Sequence, residues 1–223
     1  MATIDSPSQP STSVEVEPTF KAMRTVQRPI EYIGYGGGGQ QTVGGHYKVS
    51  SNSGGFLFTT SAQLITFRHT NPNTLSVLLR VHALVTATAT IAAQDCSYLQ
   101  LILQRPFTAD PTTNAVTISG LSTSAVRSTM PPPSASIKIA SAAAGMSGQT
   151  ASIGATVGIT SLNGLTTAGT GPEGDLYNYL SGTIAHPLVF AANEGFEIIW
   201  GTLLAGGSAR AAFVIEWAEV PEF

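Results

Sequence analysis

The sequence has few of the residues on which several classes of function depend. Charged residues make up 10% of the 223, with 13 acidic against 10 basic side chains and a net charge of −3. A nucleic-acid surface needs clustered Lys and Arg, so this chain is not expected to bind nucleic acid. Typical soluble domains carry about 25% charged residues, so this surface must be solvated by hydroxyl groups or covered by neighbours.

Cysteines and long apolar runs are also scarce. Cys96 is the single cysteine, which excludes an intrachain disulfide, and no cysteine and histidine have the spacing of a zinc site. The N-terminus lacks the positive start and apolar run of a signal peptide, and nowhere do about 18 consecutive apolar residues occur. We expect a protein that folds in a reducing cytoplasm without membrane insertion.

Motifs for catalysis are missing. The four histidines are far apart, and Gly-Met-Ser-Gly at 145–148 lacks one residue of a Gly-x-Ser-x-Gly nucleophile elbow. Closely spaced acids could serve a glycosidase, but turns, capping and solubility explain such pairs among 13 acids. The sequence therefore predicts no enzyme, no metal and no cofactor. The three acidic pairs are Glu173 and Asp175, Glu194 and Glu197, and Glu216 and Glu219.

What the chain does contain begins with YGGGGQQTVGG at residues 35–45, which includes six glycines. A P-loop would need Gly-Lys-Ser/Thr after the glycines, but the nearest lysine is Lys48, which follows His46 and Tyr47. Glycine runs outside that context are mostly flexible connectors. We interpret this stretch as a hinge rather than a phosphate site.

An N-terminal arm is predicted over residues 1–54, with the hinge inside it. Residues 1–18 are rich in Ser, Thr and Pro and are expected to be loose in isolation. Residues 20–33 mix bulky apolar and basic side chains without a helical or strand period, which is typical of a segment that orders against another surface. The predicted arm contacts are Phe20, Arg24, Arg28, Ile30, Tyr32, Ile33 and Tyr35.

From Gly55 onward the hydrophobic period becomes two. In residues 75–86 the odd positions are apolar, which predicts a half-buried strand with those positions inward. Residues 195–200 and 210–217 alternate in the same way, and the Gly-rich link at 203–208 predicts that they form an antiparallel hairpin. The predicted inward residues of this pair are Phe196, Ile198, Trp200, Ala211, Phe213, Ile215 and Trp217.

Further strands are predicted at 56–60, 64–68, 98–105, 136–140 and 188–190. Roughly eight strands without alternating long helices predict an all-β fold, a jelly-roll-like antiparallel β-sandwich at residues 55–223 with an extended N-terminal arm. One short helix is predicted at 172–180, where Leu176, Tyr179 and Leu180 fall at i, i+3 and i+4 behind Asp175 as a cap.

Residues 111–172 are predicted to be a Ser/Thr/Ala/Gly-rich insertion. The only charged residues in this range are Arg127 and Lys138, and three prolines at 131–133 interrupt regular structure. Two interpretations remain open: a loose loop, or a neutral surface that packs against identical neighbours.

Three stretches in chain order carry a resemblance to a known group. They are LQRPFTA at 103–109, VRSTM at 126–130 and HPLVFAANEGF at 186–196, and IEWAE at 215–219 follows them. This order resembles small virion structural proteins of tailed bacteriophages, over about residues 55–223. The proline-triplet insertion departs from the usual spacing of the group. In this interpretation Asn193–Gly195 is a turn, and Arg105, Arg127 and the Glu216/Glu219 pair form ion pairs within the subunit or across an interface.

The resemblance implies a β-sandwich component of the virion, assembled in the host cytoplasm. We expect a capsid cement or decoration protein whose partners are the major capsid protein and neighbouring copies of itself, for example as a trimer. The alternative is a tail-appendage or receptor-binding protein that reads carbohydrate with exposed aromatic residues. Tyr177, Tyr179 and Trp200 are the candidates for that role.

Overall fold

The computed structural model describes residues 4–5, 13–16, 23–24, 45–57, 62–89, 98–126, 130–161, 173–181, 186–201 and 206–221. The chain divides into two compact units, Met1–Ile33 and Gly34–Phe223. In the first, β1 (Ile4–Asp5), β2 (Ser13–Val16) and β3 (Met23–Arg24) form a small antiparallel sheet with β2 in the middle. Arg24 lies on β3. The glycine run 35–44 and the other predicted arm contacts, Phe20, Arg28, Ile30, Tyr32, Ile33 and Tyr35, lie outside the described residues.

The second unit is built from twelve described strands and two single turns of 3-10 helix, at Leu121–Thr123 and Tyr179–Ser181. The strands are β4 (Gly45–Asn52), β5 (Phe56–Leu57), β6 (Ala62–His69), β7 (Thr74–Ala89), β8 (Tyr98–Ala109), β9 (Ala115–Thr117), β10 (Ala135–Ala140), β11 (Thr150–Ser161), β12 (Glu173–Asn178), β13 (Leu188–Phe190), β14 (Gly195–Trp200) and β15 (Ser208–Pro221).

The strands form two antiparallel sheets that pack against each other. One sheet has the order β11-β8-β14-β6-β10-β9, and the other has the order β12-β7-β15-β4, with β13 beside β7 and β5 beside β15. Without the short additions, β4-β15-β7-β12 faces β6-β14-β8-β11. The first and last strands pair, and successive strands alternate between sheets except for β8 and β11, which are neighbours in one sheet. This is the jelly-roll arrangement of two Greek keys, and the predicted all-β sandwich is confirmed.

The core lies between the sheets and is rich in aromatic side chains. Trp217 on β15 packs edge-on against Phe67 on β6, with ring centroids 5.5 Å apart, and stacks on Tyr47 of β4 at 5.3 Å. All seven residues predicted to face inward on 195–200 and 210–217 are at most 1% exposed, which confirms both faces.

The predicted pairing of those two segments is wrong. β14 pairs with β6 and β8, whereas β15 pairs with β4, β5 and β7 in the other sheet. Their apolar faces meet across the sandwich instead of lying side by side. The alternation of a strand defines its buried face but carries no information about which sheet holds it.

The face of β7 switches within the strand. Arg80 pairs with Glu216 and Leu78 with Trp217, which leaves Leu79 as an extra residue at a β-bulge. After the bulge the odd positions are buried, as predicted, whereas before it the even positions are buried and Leu75 and Val77 are half-buried. Ser76, which was expected to face outward, is fully buried.

The predicted helix at 172–180 is wrong. Residues 173–178 form β12, which pairs with β7, and a single 3-10 turn follows it. Leu176 and Tyr177 are buried as neighbours at a register shift in this strand. The spacing of apolar residues in so short a segment fits either structure, and pairing with β7 decides between them.

The sandwich starts earlier in the chain and uses more of residues 111–172 than the sequence indicated. β4 pairs with β15 over its whole length from Gly45, and Tyr47 on this strand is fully buried. β9, β10 and β11 all lie in residues 111–172 and extend the first sheet. The strands predicted at 64–68, 98–105, 136–140 and 188–190 are confirmed, while that at 56–60 is described only for Phe56–Leu57.

Candidate interaction surface

β11 is a long edge strand without charge. It has 12 residues, reads TASIGATVGITS, and pairs with β8 as its one neighbouring strand in the sheet. Among described residues, no backbone hydrogen bond outside the strand pairs involves residues 151–161. Native edge strands are usually protected by charged side chains, proline, short length or a covering loop. β11 has neither charge nor proline, and its length is about twice the mean for strands.

The side chains of β11 are apolar and exposed at the odd positions. Ile153 is 78% exposed, Ile159 is 59% exposed and Val157 is 37% exposed. Ala155 lies between them and is also exposed. We call these four residues the β11 surface. Register shifts between Ile153 and Gly158 interrupt the alternation, so these residues are exposed along one strand without forming a single aligned row. A group of exposed apolar residues is a candidate contact surface.

Two features shape this surface. The pairing with β8 contains four register shifts between Thr150 and Gly158, which bend β11 away from a flat edge. Near Gly158 the strand approaches the other sheet, where a Cβ at that position would overlap the carbonyl oxygen of Leu176 on β12. Only glycine fits this contact. β11 therefore lies against the second sheet at Gly158, and residues 152–157 of β11, which precede it, are exposed.

The edge at β4 is built differently. Lys48 N donates to Ser124 O at 2.9 Å and Val126 N donates to His46 O at 2.9 Å, so residues 124–126 cover the backbone of this edge. The Lys48 side chain is 55% exposed. His46 Nε2 lies 2.8 Å from Glu216 Oε1. Both the covering segment and the charge oppose pairing with another chain.

The three acidic pairs of the sequence each find other partners. Glu194 accepts a hydrogen bond from Ala191 N and lies 3.4 Å from Arg105 Nε, while Glu197 is buried. Glu219 is also buried, and accepts from Ser134 N, Ala135 N and Trp217 Nε1. The contacts of Glu194 and Glu219 hold a turn and a loop in place, so these two carboxylates have structural roles.

Asp175 belongs to a charged group on the outer face of β7 and β12. Arg80 Nε donates to Asp175 Oδ1 at 2.9 Å, and His82 Nδ1 lies at the same distance from that oxygen. Burial acts to raise the pKa of Asp175, but hydrogen bonds from Arg80, His82 and Asn178 together hold it below its usual range. Glu173 lies 4.0 Å from His82. The group is an exposed ion pair on a regular sheet.

The aromatic residues proposed for a carbohydrate reader are not exposed. Trp200 is fully buried, Tyr177 is 7% exposed and Tyr179 is half-buried against the core. Burial raises the pKa of Tyr177, whose hydroxyl accepts a hydrogen bond from Leu188 N. These residues support the fold rather than presenting a stacking platform.

The histidines do not combine into a site. His69 is fully buried, with its ring between Thr74 and Ser76. His46 and His82 pair with carboxylates, and His186 is exposed. No cluster of three or more His, Cys, Asp or Glu able to hold a metal occurs among the described residues. Cys96 and Arg127 lie outside them.

Two of the stretches that carry the phage resemblance, 103–109 and 186–196, are in contact. Arg105 Nη2 donates to Val189 O at 2.7 Å, and its guanidinium lies 5.5 Å from the centre of the Phe190 ring. Phe107 N donates to Asn193 O at 2.7 Å. Asn193 has φ of 61° and lies in a turn, as the sequence predicted. The motif residues therefore join β8 to the turn before β14.

Comparison with known proteins adds no identification. The chain matches no protein-family model, no curated protein and no solved structure. Within the described part of the chain, no helix has the length and apolarity needed to cross a membrane.

The β11 surface was not predicted from the sequence. Residues 111–172 were interpreted by their Ser, Thr, Ala and Gly content, which is typical of loops. The alternation of Ile153, Ala155, Val157 and Ile159 was the signal that indicated a strand. Weak apolar residues such as alanine, with glycine between, made the alternation hard to recognise.

Proposed function

We propose that this chain is a non-enzymatic structural protein of a tailed-bacteriophage virion, a capsid cement or decoration protein. It binds the major capsid protein and neighbouring copies of itself, and it is assembled in the host cytoplasm. The observation that carries the proposal is the β11 surface, four exposed apolar residues on an uncharged edge strand. A protein that functions by binding neighbouring subunits needs an exposed apolar surface, whereas an enzyme needs a set of reactive side chains.

Three further observations support the proposal. The charge content of 10% suits a molecule whose surface is largely in contact with neighbours. The resemblance stretches contribute core and turn residues, such as Phe107 and Phe196, which are fully buried. The tail-appendage alternative needs exposed aromatic residues, but Trp200 and Tyr177, two of the residues named for that role, are buried.

Labelling of intact virions tests the location. An antibody raised against the purified chain is applied to particles of the phage that encodes it, and bound gold is counted on heads and tails by electron microscopy. Label on the head shell is the expected result. Label confined to tails would replace the proposal with the tail-appendage alternative, and purified virions without label would contradict both.

Deletion of residues 1–34 tests the arm. We expect a folded sandwich that binds particles poorly, because a tethered second contact raises the effective concentration of the first. A truncated protein that unfolds would place the arm in the core of the sandwich. Full occupancy of particles by the truncated protein would make the arm dispensable.

A further inference from the structure

A row of polar side chains lies on the outer face of the sheet that contains β6, β8 and β14. Glu197 stands directly opposite Thr66, and Gln63 and Gln104 occupy the two positions diagonal to it on the flanking strands. Diagonal neighbours in a sheet are about 7–8 Å apart at Cα, within reach of a glutamine side chain. The register therefore places one carboxylate, one hydroxyl and two amides on the same face, with Gln63 and Gln104 on opposite sides of Glu197 along the strand.

This row is covered by residues 141–149. Met146 N donates to Gln63 O at 3.0 Å, and Gln149 Nε2 donates to Glu197 Oε2 at 3.1 Å. Gly145 has φ of 75°, and a Cβ there would lie 2.8 Å from Gln63 N, so the cover approaches as closely as glycine allows. As a result Thr66 and Gln104 are 0% exposed and Glu197 is 5% exposed. We call Gln63, Thr66, Gln104, Gln149 and Glu197 the Glu197 cluster.

Most oxygens in the Glu197 cluster have no partner. Glu197 Oε2 accepts from Gln63 Nε2 and Gln149 Nε2, and no hydrogen bond to Oε1 occurs among the described residues. Thr66 Oγ1 and the Oε1 atoms of the three glutamines are buried without a hydrogen bond in that part of the chain, as is Gln104 Nε2. More than 90% of buried polar groups are normally paired, so this concentration points to a bound species.

Glu197 also has no cationic partner among the described residues. The register places Arg68 and Lys138 on the same face, but Arg68 pairs with Asp110 at 2.7 Å and Lys138 Nζ donates to Thr117 at 2.7 Å. No ion pair to Glu197 occurs among the described residues. Hydrogen bonds or a cation stabilise a buried carboxylate, and in the described part of the chain Glu197 has two amide donors and no cationic partner.

We propose that the Glu197 cluster binds one hard cation, with Ca²⁺ as its occupant. Carboxylate, amide carbonyl and hydroxyl oxygens are the ligands that calcium prefers, and it accepts six to eight of them in irregular geometry. The amides of Gln63 and Gln149 donate Nε2 to Glu197 in the ion-free chain, and they rotate to present Oε1 to the bound ion. Mg²⁺ requires near-ideal octahedral geometry and keeps its waters, which a covered cluster of long amides does not offer. A single carboxylate gives a low ligand charge, so the Kd is expected near the millimolar range of weakly charged calcium sites, about 10⁻⁴–10⁻³ M.

Calcium titration of the full chain tests the site. After dialysis against chelator, we expect calorimetry to show one Ca²⁺ per chain, and the midpoint of thermal unfolding to rise by about 3–6 °C at ten times the Kd. Mg²⁺ at equal concentration is expected to shift the midpoint by less than a third of that. If neither Ca²⁺ binding nor a shift is found, the cluster holds water only and the proposal is overturned.

Two variants locate the ion. Glu197→Gln is expected to abolish the calcium-dependent shift, while Glu173→Gln, at a side chain that is 73% exposed, keeps it. Thr66→Val removes an oxygen that has no partner among the described residues, so it should weaken Ca²⁺ binding about ten-fold without lowering the stability of the calcium-free protein. This second variant decides the matter if Glu197→Gln does not fold. Full calcium binding by either cluster variant would place the ion elsewhere and contradict the proposal.

Discussion

β11 and β4 end their sheets in opposite ways. At β4 the backbone is paired with residues 124–126, and the exposed side chain of Lys48 carries a charge. At β11 the outward side chains are Ile153, Val157 and Ile159, and the strand has no charged residue. A covering segment and a charge therefore protect β4, whereas the protection of β11 among the described residues consists of the register shifts in its pairing with β8. Under the proposed function, this difference makes β11, rather than β4, the edge that we expect to contact a neighbouring molecule.

The largest effect is expected from truncating a buried side chain that packs on β4, in comparison with truncating an exposed side chain on β11. Trp217→Ala removes the ring that stacks on Tyr47 of β4 and is fully buried, so we expect a loss of about 3–5 kcal/mol in the free energy of unfolding. Ile153→Ala on β11 should cost at most about 0.5 kcal/mol, because its side chain is mostly in solvent. Chemical denaturation measures both. Equal losses would show that Ile153 belongs to the core.

Added charge on β11 tests its role in association. The double variant Ile153→Asp with Ile159→Asp should weaken self-association at least about ten-fold, equivalent to ~1.4 kcal/mol, because two carboxylates would have to be desolvated in the contact. Sedimentation equilibrium gives the dissociation constants. Ser50→Asp on β4, an exposed position, is the matched control and should leave association unchanged. A double variant that associates like the parent chain would remove β11 from the contact.

A smaller effect is expected from Asp110, which follows β8 where β11 begins. Arg68 donates to both of its oxygens, at 2.7 and 3.1 Å. Burial acts to raise the pKa of Asp110, but hydrogen bonds from Arg68 and Ser136 and the charges of Arg68 and Lys138 together hold it below 3.8. A carboxyl with a lowered pKa stabilises the fold above its unfolded pKa, and this contribution is lost as the pH falls below about 4.

Asp110→Asn should therefore cost about 1–2 kcal/mol at pH 7, and the variant should lose less stability than the parent chain on acidification. Asp175→Asn, at the more exposed pair with Arg80, should cost only about 0.5 kcal/mol. Urea unfolding at pH 7 and pH 3 measures both effects. An Asp110 variant with the pH dependence of the parent chain would contradict the assignment.

The smallest effect is expected at Lys48. Lys48→Ile removes the exposed charge of β4 but leaves residues 124–126 in place over its backbone. The free energy of unfolding should change by at most about 0.5 kcal/mol, with a slight gain in self-association seen by light scattering. Strong aggregation of this variant would show that charge, rather than the covering segment, protects the edge.

The sequence allowed prediction of strands and buried faces but not of their arrangement. Alternation identified the inward faces of β14 and β15, because period two follows from backbone geometry alone. It could not place the two strands in opposite sheets, since partner choice depends on contacts between distant residues such as Phe67 and Trp217. The bulge at Leu79, which reverses the face of β7, leaves no signal in a run of apolar residues.

The two candidate sites also differ in whether the sequence contains a local signal for them. The β11 surface had a local signal in its alternation, although alanine and glycine weakened it. The Glu197 cluster had none, because its residues come from β6, β8, β14 and the segment before β11. Only the register that places Thr66 opposite Glu197 brings these side chains together.

Amide hydrogen exchange tests the central claim most directly. Exchange is measured for residues 150–161 in the free chain and in the chain bound to virus particles, with residues 45–52 of β4 as the internal reference. We predict that exchange in β11 slows at least about ten-fold on binding, while β4 exchanges at the same rate in both states. Unchanged exchange in β11 on particles, or equal slowing in both strands, would contradict the claim that β11 is the contact.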